Sequence, residues 1–291
     1  MLYLQILVNG VIAGSAYALA AQGFNLIYGT TRIFHVAYGS TLLVALYVAT
    51  TISVSGPSVY LGLGIGALLA LVIGGAVYLG LYAPLERFGR PRTIVFVASL
   101  GLTTLLGSVI PWVFGSSPRT IALPWLLTDR TVGGVQFSPM NIFTVVGAIT
   151  LSLALWSLLR WSRFGRHLRG ITSNGELGNV MGMRRGRLLT YAFALGSIVG
   201  FLGLAAQAMA SAVTPNLGLG FTLVAAIVVL GGGAGSLVGS YAIAMALGIA
   251  QEGLTLVVSA SWATVIIYAA LIIFMITRPS GLVGAVSRRI L

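Results

Sequence analysis

Apolar residues run along this chain in blocks of about twenty, parted by short polar or arginine-bearing stretches. Within the blocks they do not alternate with polar positions. Runs of that length without a period of two fit helices that cross a hydrocarbon layer and exclude a lipid-facing β-barrel. The pattern predicts spans near 3–27, 33–52, 58–82, 93–114, 139–159, 188–209, 216–234, 236–256 and 261–277. The expected fold is all-α: one polytopic transmembrane domain over residues 1–291, with about eight or nine helices, some interrupted. The count turns on PNLGLGFTLVAAIVVLGGGAG, whose glycine-broken end suits either a full span or a re-entrant hairpin. Two broken stretches, NLIYGTTRIFHVAYGS (25–40) and VVLGGGAGSLVGS (228–240), each end Gly-Ser before another apolar run. That pairing predicts an inverted repeat of the kind built on interrupted helices.

Composition agrees with burial in lipid. The chain is 58% hydrophobic with a mean hydropathy of +1.03, and a soluble protein of this make-up would expose apolar patches everywhere. The apolar N-terminus lacks the basic region of a cleaved signal peptide and reads as the start of a first span. With no Cys, disulfides and thiolate chemistry are excluded.

Charge then orients the bundle. All sixteen basic residues are Arg, against four acids, for a formal charge of +12. Seven of the sixteen fall within 160–187, and further groups occupy 87–92 and 278–289. Arginines between apolar spans mark cytoplasmic loops and do not form a nucleic-acid face. The loop near 115–138, with Arg119, Arg130 and Asp129, belongs outside. No charge precedes Arg32, so the side of the N-terminus stays open: nine crossings place it outside, eight inside.

Catalytic signatures do not assemble. A chain without Lys cannot carry the G-x-x-x-x-G-K-[ST] loop, so any ATP-driven step needs a partner. GGGAG at 231–235 lacks a strand–turn–helix context and reads as a helix interruption. His35 and His167 form no metal-ligand pattern with acids, and Asp129 is the sole Asp, which leaves a catalytic triad unsupported. Interrupted backbone at membrane depth needs protein or a watery cavity around it, which makes Arg32, His35, Tyr38 and Ser40 candidates for a translocation path. Glu252 joins them as the one acid inside a predicted span, with a hydrogen-bonded structural role as its alternative.

Four stretches together resemble LivH-type permeases of branched-chain amino acid ABC importers. NGVIAGSAYALAAQGFNLIYG is similar to the family's opening N-G-x-x-x-G-x-x-Y-A-L run, and RWSRFGRHLRG followed by an acid and VMGM resembles its cytoplasmic loop. VVLGGGAGSLVGSYAIAMALGIAQEGL and the closing RPSGLVG complete the series, in order along nearly the whole chain. The resemblance implies a non-enzymatic permease subunit, without cofactor, that moves branched-chain or other amino acids, or a related small polar solute, across the inner membrane. Its implied partners are two ATP-binding subunits, a homologous second permease or a copy of itself, and an extracytoplasmic solute-binding protein. It also implies that the loop at about 160–187 couples to the ATPase, with Glu176, Gly182 and Met183 in its acidic-to-glycine stretch. Where the family reads N-F-A-H-G and an acid, this chain has His35-Val36-Ala37-Tyr38-Gly39-Ser40, which loosens the link to one solute. The rival reading is an ion-coupled secondary carrier using Glu252 and His35.

Overall fold

Long apolar runs with no water to satisfy their backbone groups have one local solution, and the chain takes it: they are helices. The computed structural model describes residues 2–55, 58–121, 130–132, 135–173, 182–210 and 212–277. In chain order the helices are α1 (Leu2–Thr31), α2 (Tyr38–Ser55), α3 (Val59–Val77), α4 (Ala83–Arg87), α5 (Arg92–Phe114), α6 (Pro139–Trp161) and α7 (Arg163–Ser173). They continue with α8 (Arg185–Ala210), α9 (Leu217–Gly232), α10 (Leu237–Leu254) and α11 (Ala260–Thr277). Strands β1 (Arg130–Val132) and β2 (Val135–Phe137) pair antiparallel as a small hairpin. Six helices are long and apolar enough to cross a membrane, and the segments Tyr38–Ser53 and Leu217–Gly232 are shorter apolar helices. The protein is an all-α polytopic membrane protein.

Boundaries depart from the hydrophobic pattern where backbone geometry intervenes. The second span was expected from residue 33, but its helix begins at Tyr38, because Arg32 adopts φ 57 and ends α1. The third runs on past residue 82 to Arg87 through a π turn at Tyr78–Tyr82, with Pro84 in the first turn of α4, where its missing N–H costs nothing. The arginine-rich stretch expected as a loop contains α7.

The helices share two ends. At the hairpin end, Gln5 on α1 exchanges hydrogen bonds with the backbone of Gln136, and Arg119 pairs backbone-to-backbone with Val213. At the arginine-rich end, the last turns of α1 pack beside the end of α6 and beside α7. α1 therefore runs from the hairpin end to the arginine-rich end.

α1 sits inside the bundle, with residues 18–27 all buried and α6, α8, α9 and α10 around it. Close approach is set by small residues, as expected where lipid supplies no hydrophobic drive between helices. Gly10 and Gly14, four apart on one face of α1, meet Gly248 of α10 so tightly that a Cβ at Gly248 would overlap the Gly14 nitrogen and the Gly10 carbonyl. A Gly248→Leu substitution should therefore lower the thermal midpoint of the purified protein, at a cost of about 1–3 kcal/mol or more. Gly147→Leu on α6, where nothing lies within 4 Å of the new Cβ, should leave the midpoint nearly unchanged; equal losses would overturn the packing account.

Candidate functional site

The first break is a finished piece of backbone. Thr31 donates to the Ile27 carbonyl at 2.7 Å and accepts the Ile33 N–H at 3.1 Å, while the Arg32 N–H reaches the Tyr28 carbonyl at 2.9 Å. Left-handed geometry in a non-glycine residue costs on the order of 1 kcal/mol, and these caps offset it. Arg32 itself is exposed, so it stands at the arginine-rich end and outside the buried cluster. From there the chain turns inward, and His35, Val36, Ala37, Tyr38, Gly39 and Ser40 are all buried.

Two other helices receive His35. Its Nδ1 lies 2.7 Å from the Tyr82 hydroxyl, which the π turn of α3 presents, and Tyr82 donates onward to Ser99 Oγ of α5 at 3.0 Å. Ser99 Oγ also accepts the Ala37 N–H at 3.2 Å, which closes the ring. Nε2 is buried and has no hydrogen-bond partner among the described residues. Tyr38, Tyr82 and Phe193 rings surround the imidazole at 5.4–6.2 Å between centroids. The described residues include no group of three or more His, Cys, Asp or Glu that could hold a metal ion. The cluster can bind and orient polar groups.

Beside His35 the two short apolar helices meet. Gly39, in the first turn of α2, lies against Gly218 of α9, where a Cβ on Gly218 would stand 2.8 Å from the Gly39 carbonyl carbon. Only glycine fits on both sides of so close a crossing. Thr222 of α9 accepts the Gly39 N–H at 2.8 Å and donates to the Gly218 carbonyl at 3.0 Å. Tyr38 stacks on Phe221 at 6.0 Å and donates toward the Gly196 carbonyl of α8 at 3.2 Å. One residue pair thus ties α1, α2, α8 and α9 together.

The second break, between α9 and α10, docks onto α1. Asn25 donates to the Ser236 carbonyl at 2.9 Å and to Ser240 Oγ at 2.8 Å, and accepts the Gly235 N–H at 2.7 Å. Gln22 donates to the Leu237 carbonyl at 2.9 Å. The two stretches paired in the sequence, 25–40 and 228–240, touch through Asn25 and through Gly29 against Gly235.

The arginines at this same end cap helices. Arg169 donates to the carbonyls of Leu159 and Arg160, and Arg166 to that of Trp161 at 2.9 Å, so the orphan carbonyls of α6 find cationic donors. Ser162 accepts the Gly165 N–H at 3.0 Å and starts α7, which buries Gly165, Leu168 and Ile171 and exposes Arg163, Arg166 and His167. Gly182 is exposed at φ 77, a conformation that favours glycine, directly before α8. Met183 turns back, half-buried, toward Gly170 of α7, where a Cβ would stand 3.3 Å from its methyl. Glu176 lies outside the described residues.

Of the expected path residues, His35, Tyr38 and Ser40 come together in the interior, while Arg32 stands outside them. Glu252 is remote: it lies in the last turn of α10, next to Gln251, which accepts the Tyr17 hydroxyl at 2.7 Å. Sequence reasoning missed Tyr82, Ser99, Asn25 and Thr222. Asn25 and Gln22 carried a signal, since two amides three positions apart inside an apolar run need buried partners. Tyr82 and Ser99 carried none, because the π turn that aims Tyr82 has no pattern of its own.

Known proteins resemble this chain along most of its length. Residues 6–276 match the family model for the branched-chain amino acid transport system / permease component. The chain is 26% identical to the high-affinity branched-chain amino acid transport system permease protein LivH of Escherichia coli K12, over 97% of this chain and 96% of that protein. Identity and coverage are the same for the corresponding permease protein BraD of Pseudomonas aeruginosa, 26% over 97% and 96%. The ribose import permease protein RbsC of Escherichia coli K12 is 27% identical over 90% of this chain and 81% of its own.

The hydroxyl of Tyr82 should matter where that of Tyr47 does not. Tyr82→Phe strips Nδ1 of its partner and should destabilise the purified protein by about 1–3 kcal/mol. The Tyr47 hydroxyl is buried without a partner among the described residues, so Tyr47→Phe should be neutral or stabilising. Thermal midpoints that fall equally, or only for Tyr47→Phe, would contradict the network.

Proposed function

The chain belongs to the family of branched-chain amino acid transport system permease components, and on that footing we propose that it carries branched-chain amino acids inward across the inner membrane as one permease of an ABC importer. The observation that carries this reading is the family match across residues 6–276. The chain is a permease subunit and not an enzyme; ATP hydrolysis belongs to separate subunits. Two such ATPases below, an extracytoplasmic solute-binding protein above, and a homologous second permease or a second copy of this chain complete the proposed assembly. LivH and BraD are named for branched-chain amino acid transport, which makes these the first solutes to test. RbsC, named for ribose, is about as similar, which fits a path with few charges whose discrimination rests with the binding protein.

In the proposed topology the arginine-rich end faces the cytoplasm, by the excess of Arg there. α1 starts at the hairpin end, so the N-terminus lies outside; among the described helices six are long enough to cross, while the shorter α2 and α9 begin beside each other in the interior. The chain is read as one transmembrane domain with an inverted repeat in which α1–α2 answers α8–α9 across the Gly39–Gly218 crossing. This registers the repeat on the breaks at 32–37 and 212–216, a different pairing from the Gly-Ser endings. Buried His35, Tyr38 and Ser40 then form the joint between the halves, next to the path, with Arg32 at its cytoplasmic mouth and Glu252 in a structural role.

Residues 160–187 serve as the coupling segment in this reading. α7 is clamped to α6 by Arg169 and packs under the last turns of α1, so force on it reaches the His35 break within one short stretch of chain. Glu176 and Gly182 contribute the contact face, while Met183 secures it from behind by packing on Gly170.

Topology is testable cleanly in a chain without Cys. Single cysteines at Gln5 and Ser173 in intact cells should label from outside and only from inside, respectively; the reverse pattern would overturn the orientation.

Function is tested by uptake into vesicles holding the assembled transporter. Leucine, isoleucine or valine should accumulate only with ATP and binding protein. Gly182→Trp and Glu176→Ala should each lower uptake and stimulated hydrolysis, Gly182→Trp by about tenfold or more because an L side chain resists its φ. Uptake driven by an ion gradient without ATP would restore the secondary carrier; unchanged activity in both variants would sink the coupling assignment.

A further inference from the structure

Between the end of α3–α4 and the start of α8, where the proposed coupling segment ends, lies a groove of about 860 Å³. Arg87, Arg90, Arg184, Arg185 and Arg187 line it, together with Glu86. Glu86 is already engaged: Tyr78 donates to its Oε2 at 3.0 Å, and Arg185 stands 3.7 Å from its Oε1. The other four guanidinium groups make no hydrogen bond or ion pair with the described residues. Five guanidinium groups against one carboxylate leave the groove strongly positive.

Its wall is apolar. Leu79 and Tyr191 line the same groove and are 55% and 57% exposed, on helices whose outer faces meet lipid. Leu79 belongs to the membrane-crossing helix Val59–Arg87, and Tyr191 to the first turns of Arg185–Met209. The groove thus straddles the boundary between hydrocarbon and water. An acidic surface on a soluble partner would match the arginines and leave the apolar wall unused. An amphiphile matches both: guanidinium groups donate to phosphate oxygens in paired geometry, and an acyl chain covers Leu79. Arg184, Arg185 and Arg187 also flank the start of α8, where free N–H groups favour an anion.

We propose that this groove binds the phosphate headgroup of an anionic phospholipid, with one acyl chain lying along Leu79 and Tyr191. The proposal rests on the chain spanning a membrane and is independent of the solute it carries.

The test uses a phosphatidylglycerol with a photoreactive acyl chain, in phosphatidylcholine vesicles that hold the assembled transporter. After illumination, peptide mapping should place adducts within 79–90 or 184–191. Unlabelled phosphatidylglycerol should compete, and phosphatidylcholine and inorganic phosphate should not. The triple variant Arg87→Gln, Arg90→Gln, Arg187→Gln should lose on the order of tenfold of this labelling, and the pair Arg163→Gln, Arg166→Gln on α7 should keep it. If the triple variant does not fold, the competition series in the unaltered protein still decides. Equal labelling by a photoreactive phosphatidylcholine, or displacement by inorganic phosphate, would overturn the proposal. So would a triple variant that keeps its adducts but loses the ATPase subunits, which would mark the groove as a protein interface.

Discussion

In a membrane interior, every break in a helix must find its hydrogen bonds within the protein, and that requirement organises this bundle. Two interruptions bracket the apolar helices that start or end beside α1, and each is settled by side chains from elsewhere in the chain. Asn25 closes the break before α10 with both ends of its amide. Ser99 and Thr222 take the N–H groups of Ala37 and Gly39 at the start of α2. Because the satisfying groups come from helices far apart in sequence, the breaks double as cross-braces.

Close packing makes those braces reachable. A side-chain amide reaches only a few ångströms, so α1 and α10 must touch along their backbones before Asn25 can span the gap; Gly10, Gly14 and Gly248 permit it. The same holds at Gly39 and Gly218, where Thr222 bonds both sides of the crossing. Small residues and buried polar groups are thus one device. Of the buried polar atoms that find no partner among the described residues, the Nε2 of His35 lies where α2, α3, α5 and α8 converge, and that unmet bonding potential recommends the joint for a functional role.

The sequence made the helices legible because lipid imposes one pattern: every predicted span coincides with an apolar helix. It marked both interruptions through Gly-Ser endings, and the arginines of 87–90 and the described arginines of 160–187 gather at one end. The start of α2 was misjudged because Ile33 to Ala37 are nearly as apolar as a helix, and only the φ of Arg32 decides against one. At the site, His35, Tyr38 and Ser40 were found through the break they occupy. Their partners were not, since Tyr82 and Ser99 act across separations of 47 and 17 residues that no local pattern records. Glu252 drew attention as a rare charge in an apolar run, yet its position near the end of α10 gives it a different neighbourhood.

The π turn at Tyr78–Tyr82 has a geometric corollary. A π turn holds roughly one residue more than an α-turn, and one residue corresponds to a rotation of about 100°. α3 and α4 are thus a continuous rod cut in two angular phases. The portion before the turn keeps Gly62, Gly66 and Gly74 toward its neighbours. Twelve residues of α-helix would carry Glu86 about 120° away from the side on which Gly74 meets Ser197 of α8; the surplus residue takes back about 100° of that, so Glu86 still meets Arg185 at the start of α8. One surplus residue thus holds both ends of the rod against the same partner helix, which a strict 3.6-residue repeat would have let drift away.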